Sequence, residues 1–324
     1  MREGIEGWSA PFAIDPALPA PFPRDGRGSV VTVGTFDGVH RGHQEVLAEI
    51  VRRARRTGRR SVLVTFHPHP LRVVRPEAAP PALTTPAEKR EILAQSGVEY
   101  AVFLPFTPVL QHYPARRFVE EILLGRLDLR ELVIGYDHGF GRDREGGVDT
   151  MREIGGEAGF DVDVVEAVRA GESAVSSTRI RRALAEGDVA EAARGLGRPY
   201  SVTGPVIHGA QRGRKLGFPT ANIRVEDPYK MLPREGVYAV HGWVAGGRVP
   251  GLLHLGPRPT FQGSPPSIEL HLLDWSGDLY GRAVRVDFAR WLRPIRPFAS
   301  AGALVEQMKR DEAAARTLPP AEER

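Results

Sequence analysis

The chain has 324 residues, a formal net charge of +4 and no cysteine. That length allows two hydrophobic cores, and the missing thiols exclude disulfides and thiolate metal sites and suit a reducing cytoplasm. No apolar run reaches the length of a membrane span, and the small positive surplus fits phosphate-bearing small ligands as well as nucleic acid.

Residues 1–28 are Pro-rich and mixed in charge, without the basic start and apolar stretch of a secretion signal, and read as an extended, loosely ordered lead-in. "SVVTVGTF" (29–36) is β-branched and bounded by glycine, as in a buried parallel strand. In "GHQEVLAEIVRRARR", Val46, Leu47, Ile50, Val51 and Ala54 recur at helical spacing. The arginine run "VRRARRTGRR" (51–60) reads as a solvated helix face and the turn after it. No aromatic residues are interleaved to stack on bases, so a nucleic-acid patch is the weaker reading. "SVLVTF" (61–66) is the next strand, and "TTPAEKREILAQSG" is a helix with Thr before Pro at its first turn and Gly at its end. "YAVFLPF" reads as strand, "ARRFVEEILLGRL" as helix, "ELVIGYD" as strand, "TMREIGGEAG" as a short helix and "FDVDVVEAV" as strand. Strands alternating with helices predict an open parallel sheet covered on both faces, a Rossmann-like α/β domain.

After residue 186 the periodicity changes. "LGRPYSVTGPVIHG", "GVYAVHGWV", "RVPGLLHLG", "SIELHLLDW" and "AVRVDFARWL" are short runs separated by turn residues. In "SIELHLLD", Ile268, Leu270 and Leu272 face one way and Glu269 and His271 the other. This predicts a small antiparallel barrel, closed by a helix in "SAGALVEQMKRDEAAAR". The expected organisation is an α/β domain over 29–186, a linker over 187–198 and a mainly-β domain over 199–318.

"GTFDGVHRGH" (34–43) lies between the first strand and the first helix, the carboxyl-end position where open α/β sheets bind ligands. Gly34 lets a backbone come close to a ligand, and Gly42 opens the helix without a side chain in the way. A helix N-terminus offers free N–H groups and a positive dipole end to phosphate, and His40 and His43 can both point at it. Moving a nucleotidyl group needs alignment and charge compensation more than covalent help. A lone histidine here would read as a cap or core residue; His-x-Gly-His at such a junction points to a nucleotide. The arrangement resembles the HxGH nucleotidyltransferase superfamily, which implies a second signature late in the domain. "VSSTRIRRAL" (175–184) is similar to it. Its Ser177 and Thr178 hydroxyls can cap a helix and bind phosphate, and Arg179 can fork onto an anionic oxygen. His67 and His69 in "TFHPHP" have the spacing of some metal sites, with Asp37 as an acidic ligand to hand, but no clear further ligand set accompanies them.

"HGAQRGRKLGFPTANI" (208–223) is the second dense stretch. Its glycines with Arg212, Arg214 and Lys215 make a basic loop suited to phosphate, although surface turns often look the same. Thr220 and Asn222 offer oxygen ligands that suit Mg²⁺ carried mainly by nucleotide phosphates. The Walker spacing is absent.

"GTFDGVHRGH", "GYDHGFGRDREG", "VSSTRIR", "LGRPY", "GRKLGFPTAN", "GVYAV", "RPTF" and "DLYG" occur in the order found in the bacterial bifunctional riboflavin kinase/FAD synthetase family, and the resemblance covers residues 29–315. It implies a six-stranded C-terminal barrel that phosphorylates riboflavin to FMN with ATP, and an N-terminal domain that adenylylates FMN to FAD with a second ATP. It further implies Thr220 and Asn222 as magnesium ligands and Glu269 as the residue that accepts the hydroxyl proton; from spacing alone Glu269 is an ordinary strand carboxylate. The implied ATP contacts are Gly34, Phe36, Asp37, His40, Gly42, His43, Ser177, Thr178, Arg179, Gly213, Arg214 and Lys215. The implied catalytic set in the first domain is His40, His43 and Arg179. Phe66, Asp137 and Arg258 are implied flavin contacts, although Phe66 reads equally as core. His67, His138, His254 and Pro257 depart from the family's usual residues. The implied partners are ATP, riboflavin and FMN, with neither nucleic acid nor membrane.

Overall fold

The computed structural model describes residue 22 and residues 25–135, 146–166, 169–170, 173–209, 217–244, 247–257 and 267–318. The chain divides into two compact units between Ser176 and Ser177. Among the described residues no helix is long and apolar enough to cross a membrane.

The first unit is built on a parallel sheet of β1 (Ser29–Val33), β2 (Arg60–His67), β3 (Tyr100–Pro105), β4 (Leu129–Gly135) and β5 (Asp161–Val165), in the order β3-β2-β1-β4-β5. The strand alternation sends side chains to two cores. Val30, Leu63, Ala101 and Val133 pack with Leu47 and Ile50 of α1 (Arg41–Thr57) and Leu93 of α3 (Pro86–Ala94). Val31, Val33, Val62, Val64 and Leu132 pack on the other face with Phe118, Ile122 and Leu123 of helical residues 115–127 and with Met151 and Ile154 of α7 (Val148–Ala158). Each of the larger side chains contributes about 1.5–3 kcal/mol of transfer free energy. Shorter helical pieces are α2 (Pro70–Val74), α4 (Pro108–Gln111), α5 (Ala115–Phe118) and α6 (Gly125–Leu127), the last two joined through a wider π turn at Val119–Leu124. A two-stranded ribbon, β6 (Arg169–Ala170) with β7 (Ser173–Ala174), ends the unit. Order reversal around β1 and β4 makes their carboxyl ends the switch point where such sheets take ligands.

Two expectations need correction here. The arginine run is not simply solvated: Arg53 pairs with Glu49, Glu131 and Asp163, and Arg60 is 1% exposed. It starts β2 and pairs with Asp25, with the Phe22 ring 5.6 Å away. Arg60, and then the Arg27 N–H, hold the Asp25 carboxyl at a pKa of about 2. The end of the lead-in is therefore docked on the sheet rather than loose, because Phe22 packs edge-on against Tyr100 at 5.2 Å.

The second unit opens with α8 (Ser177–Glu186) and α9 (Val189–Leu196), so the stretch expected as a linker contains a helix capped by Asp188 and ended by left-handed Gly197. A closed antiparallel barrel follows, as expected. Its strands are β8 (Ser201–Ile207), β9 (Ala221–Ile223), β10 (Gly236–Val244), β11 (Gly247–Gly256), β12 (Ser267–Leu272) and β13 (Ala283–Arg293), ordered β10-β11-β12-β9-β8-β13. The final helix α10 (Ala301–Arg316) lays Ala315 on Ala239 and Leu252 of the barrel wall. The polar face of β12 lies partly under this helix. His271 is buried, with its Nδ1 2.8 Å from the Pro219 carbonyl and its Nε2 3.1 Å from Glu312 of α10.

Candidate active sites

In the first unit, β1 runs into a turn with an unusual backbone. Phe36 and Val39 have φ of 45° and 40°, and Gly38 has 78°. Non-glycine residues enter this left-handed region only where their surroundings over-determine it. Here the braces are visible. The Thr35 carbonyl accepts from Lys89 Nζ at 2.7 Å and from the Thr65 hydroxyl at 3.0 Å. The Asp37 carboxylate accepts from the Leu83 N–H at 3.0 Å and the Thr84 N–H at 3.4 Å. The Gly38 N–H donates to the Thr84 hydroxyl at 3.3 Å. Glycine at 34 leaves room for the folded-back Phe36 ring, which a Cβ there would approach to 3.0 Å.

This turn delivers the two histidines to the N-terminus of α1. His40 is the N-cap residue: its Nδ1 accepts from the His43 N–H at 3.3 Å. With Nδ1 accepting, the assigned ring proton sits on Nε2. The two imidazoles stack at 3.7 Å between centroids and 15° between planes, and Phe36 supports His43 at 4.6 Å. Gly42 lets them approach, since a Cβ there would lie 3.2 Å from the His40 ring. Burial, then the neighbouring His40 and Lys89, push the His43 pKa well below its ordinary value, so this ring is neutral. Its Nδ1 is buried without a hydrogen-bond partner. The helix-cap reading and the ligand reading of this motif are therefore not exclusive.

Other expected residues fall differently. Asp37 is committed to the backbone of residues 83 and 84. Phe66 is core, edge-on to Phe106 at 5.6 Å, although it sits near the carboxyl end of β2. His69 caps α2 through its Nδ1, and among the described residues no group of three or more His, Asp or Glu could hold a metal. Ser177, Thr178 and Arg179 open α8 in the second unit, where Arg179 pairs with Glu191 of α9 at 2.5 Å. Asp137, His138, Gly213, Arg214, Lys215 and Arg258 lie outside the described residues.

The barrel builds the second site from strand register. Glu269 on β12 stands opposite Asn222 on β9 and opposite His254 on β11, so all three share one face. The Thr220 hydroxyl donates to the Glu269 carboxylate at 3.4 Å. Asn222 is buried, and Gly209 is glycine because a methyl group there would overlap the Asn222 amide. Burial lowers the His254 pKa, with Glu269 pulling the other way. A carboxylate, a hydroxyl and an amide oxygen thus converge on one patch of the barrel wall. The residues missed from the sequence are Lys89, Thr84 and His271. A lysine at a helical position beside a glutamate reads as solvent-facing, and nothing in its spacing signals that it reaches a carbonyl 54 residues earlier.

Comparisons with known proteins divide the chain in the same sense. The FAD synthetase family matches residues 22–179 and the riboflavin kinase family matches residues 196–318. A bifunctional riboflavin kinase/FMN adenylyltransferase of Pseudomonas fluorescens is 41% identical over 293 residues, covering 90% of this chain and 93% of its own. Proteins of the same description from Escherichia coli (strain K12) and Bacillus subtilis (strain 168) are 37% and 36% identical, over 89% and 88% of this chain and 92% and 90% of theirs. Among solved structures, a macrolide-efflux protein from Streptococcus pneumoniae superposes with a TM-score of 0.81 at 30% identity, covering 90% of this chain and 95% of that one.

Proposed function

The chain belongs to the family of bifunctional riboflavin kinases/FMN adenylyltransferases, and from that premise we propose how its residues divide two successive reactions. The barrel phosphorylates riboflavin to FMN, and the α/β unit adenylylates FMN to FAD with release of pyrophosphate.

In the first reaction the terminal ribityl hydroxyl of riboflavin attacks the γ-phosphorus of ATP and ADP leaves. Glu269 accepts the hydroxyl proton, acting as general base. Thr220 and Asn222 would hold magnesium: both offer hard oxygen donors, and Glu269 beside them favours a cation. When bound, that ion offsets negative charge on the ATP phosphates. In the second reaction an FMN phosphate oxygen attacks the α-phosphorus of ATP and pyrophosphate leaves. The imidazoles of His40 and His43 and the N-terminal dipole of α1 stabilise charge on the phosphate oxygens, His40 by donating from Nε2. Ser177, Thr178 and Arg179 stay candidate ATP contacts on the family resemblance alone; Arg179 is paired with Glu191.

One observation carries this reading most directly: two stacked, sheltered imidazoles stand at a helix N-terminus following the first strand, at the switch point of the sheet. The test is chromatographic. Purified protein incubated with riboflavin, ATP and Mg²⁺ is expected to yield FMN and then FAD; protein that yields neither overturns the assignment. A cytoplasmic location belongs to the same proposal and is checked by cell fractionation.

A further inference from the structure

Lys89 lies on α3, outside both sets of residues just assigned. It is almost wholly buried, and its ammonium donates to the carbonyl of Thr35 at 2.7 Å. Burying a lysine costs free energy unless its charge is used. The place it is used is the first residue of the strained turn. Thr35 is followed by Phe36, held at φ 45°, and the Phe36 ring supports His43 at 4.6 Å, which stacks on His40 at 3.7 Å. A continuous series of contacts therefore runs from the ammonium to the two imidazoles. We propose that Lys89 is a positioning residue for adenylyl transfer: through the Thr35 carbonyl it fixes the turn that sets His40 and His43, and it does so as the ammonium. This inference rests on the reading of those histidines as the adenylylation site.

The titratable groups facing Lys89 are Asp37 in the turn and His43 on α1; Glu88, its neighbour on α3, completes the Thr85 capping box. Burial brings the Lys89 pKa down to about 8, while Asp37 opposes the shift. Between that value and the ordinary lysine value of 10.5 the unfolded chain binds the extra proton, so stability rises with pH across this window. Loss of the ammonium thus weakens the brace without unfolding the chain. Activity and stability should move in opposite directions, which separates positioning from a merely structural role.

The experiment follows both reactions of the full-length chain from about pH 6.5 to about pH 9.5. FAD formation from FMN should fall above pH of about 8 while the thermal midpoint does not fall, and FMN formation from riboflavin should lack that limb. Lys89→Met should lower kcat for FAD formation by about tenfold or more, with KM for ATP within about twofold, and leave FMN formation unchanged. Lys89→Arg, whose charge does not titrate in this range, should remove the alkaline limb. A wild-type FAD reaction without an alkaline limb, a limb that persists in Lys89→Arg, or a Lys89→Met variant of normal kcat overturns the proposal. If Lys89→Met fails to fold, the charge-keeping Lys89→Arg profile against wild type decides. A wild-type chain that makes FMN but no FAD at any pH instead defeats the reading of the histidine site.

Discussion

His43 and Glu269 show how much of each reaction hangs on single side chains. The imidazole is neutral because burial makes its charged form costly, which suits a group that donates to phosphate rather than pairing with bulk anions. Replacing His43 by Ala should reduce FAD formation by on the order of 10²–10³-fold, the usual loss on removing one charge-stabilising donor, while FMN formation continues. Glu269→Gln should do the reverse, reducing FMN formation by on the order of 10²–10⁴-fold and leaving conversion of supplied FMN intact. Separate rate measurements with riboflavin and with FMN decide the matter, and equal damage to both steps by either variant contradicts the division of labour. At this scale the sequence is legible where residue types are unusual. His-x-Gly-His stands out against its surroundings, whereas Lys89, Thr84 and His271 look ordinary because their partners, Thr35, Gly38 and Glu312, are distant in the chain.

Elements tell a similar story, with capping as the local part. "TTPAEK" predicts a helix start, and Thr85 indeed forms a full capping box with Glu88 ahead of Pro86. Thr85→Ala should cost about 1 kcal/mol of stability, read from chemical denaturation. Because α3 also carries Lys89 and follows the residues that hold Asp37, the same variant should lower FAD formation more than FMN formation. An equal loss in both reactions would mean that the turn does not depend on α3. The short strand β9 leaves no mark in the sequence pattern: three residues, Ala221–Ile223, have too little length for periodicity to register. Yet this strand is what aligns Asn222 with Glu269. The helix α9 falls where the change of periodicity predicts a linker, although Asp188 and Gly197 are ordinary cap residues.

For the whole molecule, the two family matches fall one after the other along the chain, over residues 22–179 and 196–318. The catalytic sets assigned to the two reactions share no residue. A mixture of the His43→Ala and Glu269→Gln proteins should therefore convert riboflavin to FAD, FMN made by the first being taken up by the second, although each variant alone stops at one step. Failure of the mixture, with each variant active in its remaining step, would require FMN to pass between sites without release.

The sequence by itself determined the order of elements, the change from helix-and-strand alternation to short antiparallel strands, and the two phosphate-directed motifs, because these depend on near neighbours, backbone preference and spacing. Only the tertiary structure decided that the arginine run feeds partly buried ion pairs, that the polar face of β12 lies partly under α10, and that a buried lysine braces the histidine turn. Those outcomes depend on which distant residue meets each polar group once water is excluded, and a buried polar group must find such a partner somewhere in the fold.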